Sequence, residues 1–87
     1  MTIVIPLEEL KEETRPYFTI GTVSGLSIDY ATNAIHGYVG GVEHIVFRFK
    51  DYGVYLDNRY NSYELTGGSA GILIKIHGNL HNGNSHP

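Results

Sequence analysis

The sequence predicts a mainly β fold. It reads as an antiparallel meander of six or seven short strands, curled into a small barrel or folded as a two-layer sandwich, with one short N-terminal helix (α+β by strict count). Three observations carry this. Beyond Pro16, β-branched and aromatic residues recur in alternating runs, separated by turn signals about every 8–12 residues. The 87-residue chain holds 11 glycines, most of them between those runs, where turns and bulges need them. One short helix cannot cover both faces of a large sheet, so the sheet must curl, form two layers or meet a second copy.

Thr2-Ile-Val-Ile5 is a short apolar run suited to an edge strand. Pro6 suits the first turn of a helix, where its missing N–H costs nothing, and Leu7 and Leu10 share one face. Glu8 and Glu9 favour the positive end of such a helix. The expected helix covers about residues 6–14 and stops at Pro16. Tyr17 to Ser24 then reads as strand, followed by Leu26-Ser-Ile-Asp-Tyr30, a turn at Ala31-Thr-Asn33, and Ala34 to Val39. Gly40-Gly41 breaks the chain before the clearest alternation, His44 to Lys50, where Ile45, Phe47 and Phe49 point one way and Arg48 and Lys50 the other. Asp51-Tyr-Gly53 reads as a hairpin loop returning through Val54-Tyr-Leu56. A brief strand at Tyr63 to Thr66 and a turn at Gly67-Gly68 lead into Gly71 to Ile76, with Ile72, Ile74 and Ile76 on its buried face. The chain therefore reads as one domain over residues 1–77 and a flexible Gly/Asn/His tail over 78–87.

Length and charge exclude several function classes. The chain is too short for a TIM barrel, a doubly wound dinucleotide-binding domain, a kinase or an α/β-hydrolase. Six Lys and Arg against nine Asp and Glu leave a net −3, so no basic excess draws in a phosphate backbone, and nucleic acid is not the expected partner. The absence of cysteine removes disulfides, thiolate metal sites and Cys nucleophiles, and suits a reducing, cytoplasmic compartment. The N-terminus lacks a basic region and a long apolar run, and no stretch approaches the roughly 20 apolar residues of a membrane span. No signal peptide and no membrane association are expected.

The motifs weigh against catalysis. Gly67-Gly-Ser-Ala-Gly71 matches the letters of the G-x-S-x-G nucleophile elbow, but that elbow needs a helix after the Ser. Here Ile-Leu-Ile-Lys-Ile follows, which is a strand, so Ser69 is expected in a hairpin turn. Of five histidines, His36 and His44 flank the Gly40-Gly41 turn and could face each other across it, while His77, His81 and His86 lie at the C-terminal end. Zinc wants three or four converging ligands, and surface imidazoles among Gly and Asn explain these five without metal. No metal, no other cofactor and no enzymatic activity are expected.

Tyrosine is the strongest pointer to function. Seven of the 87 residues are Tyr, and Tyr52, Tyr55, Tyr60 and Tyr63 lie close together with Asn58, Arg59 and Asn61 interleaved. Tyrosine with Arg and Asn is the composition of a recognition surface, offering rigid area with polar tips. The competing explanation is that Tyr fills cross-strand pairs at the margin of a small core. The expected partner-binding residues are Tyr52, Asn58, Arg59, Tyr60 and Asn61. Tyr55 and Tyr63 are expected within strands. The expected function is a non-enzymatic protein-interaction module, an inhibitor or regulator of a larger protein, of the type that phages and other mobile elements carry. Small barrels that bind a ligand or a metal through His, and single-strand nucleic-acid binders, are the alternatives. Exposed edges at Thr2–Ile5 and Tyr63–Thr66 lead to the further expectation of a homodimer.

Overall fold

The computed structural model describes residues 1–56 and 61–78. Among them six strands form two antiparallel three-stranded sheets. The first holds β1 (Thr2–Pro6), β6 (Gly71–Gly78) and β5 (Asn61–Gly68), in the order β1-β6-β5. The second holds β2 (Ser24–Asp29), β3 (Ala34–Val39) and β4 (Val42–Arg48), in the order β2-β3-β4. The sheets do not close into a barrel, which leaves the two-layer form of the two expected. Both feed one core: Ile5, Ile72 and Ile74 from the first, Ile35, Val46 and Phe47 from the second. The expected tail lies outside the described residues, apart from Gly78, which ends β6.

The N-terminal helix is shorter and later than its spacing predicts. Leu7–Glu9 and Glu12–Thr14 are separate 3-10 turns. The one α-helix among the described residues is α1 (Arg15–Thr19), with Pro16 in its first turn rather than beyond its last. A hydrogen bond explains the break. The Lys11 N–H donates to the Val46 carbonyl at 2.8 Å, so it cannot continue a helical ladder from Leu7. Arg15 then satisfies two carbonyls of that irregular stretch, with Nε on Leu10 at 2.9 Å and Nη2 on Glu8 at 2.7 Å. Tyr17 to Ser24, expected as strand, is helix and loop up to β2, and Phe18 is buried in the core.

β6 follows its alternation. Ile74 lies opposite Ile3 and Leu65, and Ile72 opposite Ile5, with both isoleucines 1% exposed. β4 does not. Ile35 pairs with Phe47 and His36 with Ile45, which leaves Val46 unopposed in a bulge. Val46 and Phe47 are consecutive and both buried, while Ile45 is only half-buried. The bulge carbonyl is the one that Lys11 caps.

Gly67 and Gly68 belong to β5, and the turn to β6 is Ser69-Ala70, closed by the Gly68–Gly71 pair. The G-x-S-x-G letters are therefore a hairpin. Gly71 has φ +135°, and a Cβ there would lie 2.0 Å from the Ile5 carbonyl oxygen, so only glycine lets β1 lie this close. No helix among the described residues is long and apolar enough to cross a membrane.

Candidate binding surface

The expected hairpin at Asp51–Gly53 and its return strand do not form. β4 runs straight into a 3-10 turn, Phe49–Tyr52, ended by Gly53 in the left-handed region at φ 73°. Residues 54–56 pair with no strand. Their polar groups are taken instead by Asn33, whose Nδ2 donates to the Val54 carbonyl at 2.7 Å and whose Oδ1 accepts the Leu56 N–H at 2.9 Å. Asn33 is 6% exposed, sits at φ 56°, and its own carbonyl accepts the Phe49 N–H at 3.0 Å. Asn tolerates this backbone region better than most residues. One turn residue thus clamps both sides of the segment.

Tyr52 projects from that clamped turn. Its ring stacks on Phe47, with centroids 5.2 Å apart and planes 9° from parallel, and Phe47 in turn meets Phe49 edge-on at 5.1 Å. The Tyr52 hydroxyl donates to Glu9 Oε1 at 2.6 Å. That bond holds its proton, pushing the phenol above its ordinary range, with the nearby charges of Glu9 and Asp51 adding to the effect. A second tie joins the same two stretches, Lys11 to Asp51 at 4.0 Å. The ring remains 56% exposed, so it offers area to a partner from an anchored position.

Between this turn and β1 runs an open groove of about 270 Å³. One wall is Ile3 to Pro6 together with Glu9; the other is Phe47, Phe49, Tyr52 and Val54. Val4 and Val54, both in its lining, are exposed and add apolar surface, and Tyr55, next to Val54 in the chain, is exposed as well.

The expected binding residues separate. Tyr52 stands in the groove wall. Asn58, Arg59 and Tyr60 lie outside the described residues. Asn61 is half-buried at the start of β5, opposite Gly78, and does not line the groove. Tyr55 is in no strand and is 74% exposed, which reverses its expected structural role. Tyr63 is half-buried in β5, 6.2 Å from the Tyr30 ring. Burial first, and Tyr63 second, raise the Tyr30 phenol above its ordinary range. Periodicity points to none of Glu9, Asn33 and Val54. The available signal was Asn33 itself, a residue at home in a tight turn with an amide left over to bond.

His36 and His44 do not face each other, since the register sets His44 opposite Gly37 and His36 opposite Ile45. His36 lies between two acids, with Nδ1 at 3.0 Å from Glu43 and Nε2 at 3.7 Å from Asp29. Thr32 Oγ1 also reaches Nε2, at 3.2 Å. His77 lies 3.6 Å from Glu64 on the exposed face of the other sheet. His81 and His86 lie outside the described residues. Among the described residues no group of three His, Asp or Glu side chains is arranged to hold a metal ion. Comparison with protein-family models, with curated proteins and with solved structures finds no match.

Proposed function

We propose that this protein is a non-enzymatic interaction module, an inhibitor or regulator that acts by binding a larger protein. The observation that carries the reading is the anchored, exposed apolar wall at Tyr52 and Val54. Its ring stack and the Asn33 clamp hold it in place before any partner arrives, which lowers the ordering cost of binding. A site that presents aromatic area and a polar hydroxyl suits a protein surface. The disulfide-free composition suits action in the cytoplasm.

The test is affinity capture from the native host, identification of the bound protein, and a binding titration with purified components. Tyr55→Ala removes an exposed ring without touching the core, and Tyr52→Phe removes only the hydroxyl. Loss of an aromatic anchor weakens binding about 30- to 1,000-fold. Tyr55→Ala is expected in that range, with an unchanged melting curve. A captured protein that binds wild type and both variants equally places its interaction elsewhere on the molecule. A turnover assay showing that the chain itself transforms a substrate overturns the reading.

A further inference from the structure

We infer that the free edge of β1 is a strand-addition site for an extended segment of a partner protein. The segment runs antiparallel to β1, carries apolar side chains at alternate positions, and has a basic residue N-terminal to them. This rests on the interaction-module reading and gives it a partner chemistry.

The ladder phase identifies the free groups. β1 is an edge strand that pairs with β6. The Ile76 N–H donates to the Met1 carbonyl and the Leu7 N–H to the Ala70 carbonyl, so the odd residues turn their backbone groups toward β6. Antiparallel alternation then directs the N–H and C=O of Thr2 and Val4 outward, together with the Pro6 carbonyl. Among the described residues no backbone hydrogen bond outside the ladder reaches these groups. Such a row of unpaired donors and acceptors is the template for an added strand, where main-chain bonds supply affinity and alternate side chains supply specificity.

The groove supplies that specificity. A strand laid antiparallel on β1 sets alternate side chains opposite Ile3 and Ile5, over Phe47, Phe49, Tyr52 and Val54. A second copy suits this edge less well. Paired about a two-fold axis, it would bring its own Tyr52 and Val54 into the space beneath the joined edges. A lone extended segment brings no such wall. Antiparallel pairing is slightly the more stable per residue, and charge then places a basic residue at one end of the segment. Past Pro6 stand Glu8 and Glu9, both exposed and neither within ion-pair distance of a cation among the described residues. An antiparallel segment meets them with its N-terminal end, where a Lys or Arg complements them.

The probe is the peptide acetyl-Lys-Thr-Ile-Thr-Ile-Thr-amide, titrated into isotope-labelled protein and followed by NMR. The expected result is shifts at Thr2, Val4, Phe47, Tyr52 and Val54, with hydrogen exchange at Thr2 and Val4 slowed about tenfold or more at saturation. N-methylation of the middle Thr removes the donor to the Val4 carbonyl and leaves the protein untouched; it should weaken binding about tenfold or more. Val4→Pro removes an outward donor but no β1–β6 bond, so it should cost the same affinity with β6 protection retained. No shift along β1 at millimolar peptide overturns the proposal. So does protection of Thr2 and Val4 that rises with protein concentration alone, which assigns the edge to a second copy. A captured partner that binds wild type and Val4→Pro equally, yet loses affinity with Tyr55→Ala, overturns the edge site and leaves the interaction-module reading standing.

Discussion

β6 and the stretch from β4 to Val54 start from the same kind of sequence, apolar residues alternating with others, and reach different ends. β6 lies between two partner strands, in register with β5 along its whole length and with β1 from Gly71 to Lys75. Its alternation becomes its burial pattern without exception at Ile72 and Ile74. β4 pairs with β3 on one side, while its bulge carbonyl is capped by Lys11 from outside the sheet. The bulge advances the pattern by one residue, and the chain then leaves the ladder for the turn that carries Tyr52. A strand flanked on both sides has its register over-determined. A strand at an edge can be bent by one hydrogen bond from elsewhere, and here the bent region forms the candidate surface.

Lysine substitutions at adjacent positions of β4 give the largest effect. Alternation alone buries Ile45 and exposes Val46; the bulge reverses them. Val46→Lys should cost on the order of 4–5 kcal/mol, enough to abolish folding, because it buries an unpaired charge. Ile45→Lys should retain a cooperative melt. The reverse order in thermal or denaturant unfolding would break the comparison at its root.

Ile74→Ala probes the regular strand, and about 2–5 kcal/mol should be lost in a urea titration. The loss should be global, with β1 and β5 amides all exchanging at the same lowered free energy. Asn33→Ala probes the clamped region and should cost about 1–3 kcal/mol, since it leaves the Val54 carbonyl and Leu56 N–H without their partner. Here exchange should quicken first at residues 49–56. Uniform loosening of both sheets would mean that the clamp and the ladder form one cooperative unit.

The smallest effect is electrostatic. The folded state favours the protonated Tyr52 phenol, whose affinity for its proton is raised above the ordinary value of 10.0 by the bond to Glu9. A raised phenol stabilises the fold below about pH 10, and that contribution fades as pH climbs through the raised value. The difference in melting temperature between wild type and Tyr52→Phe should therefore shrink from pH 8 to pH 11. Tyr30 is raised as well but is present in both proteins, so it cancels in the difference. A gap that widens with pH would show that the hydroxyl does not hold its proton as a donor to Glu9.

The sequence by itself determined the mainly β class, a hairpin within Gly67–Gly71 and the isoleucine face of β6. Each rests on period-two spacing or on turn chemistry between neighbours in the chain. It also singled out Tyr52. The tertiary structure decided where helix replaced strand after Pro16, which of Ile45 and Val46 is buried, and that residues 54–56 form no ladder. The last two depend on bonds between residues far apart in sequence: Lys11 to Val46, and Asn33 to Val54 and Leu56. Periodicity has no access to such bonds, because a single N–H or amide that finds a distant carbonyl leaves no repeat in the chain. The candidate groove has the same origin. Its walls are β1 and the turn after β4, some 43 residues apart at the Glu9–Tyr52 bond, and only folding makes them neighbours.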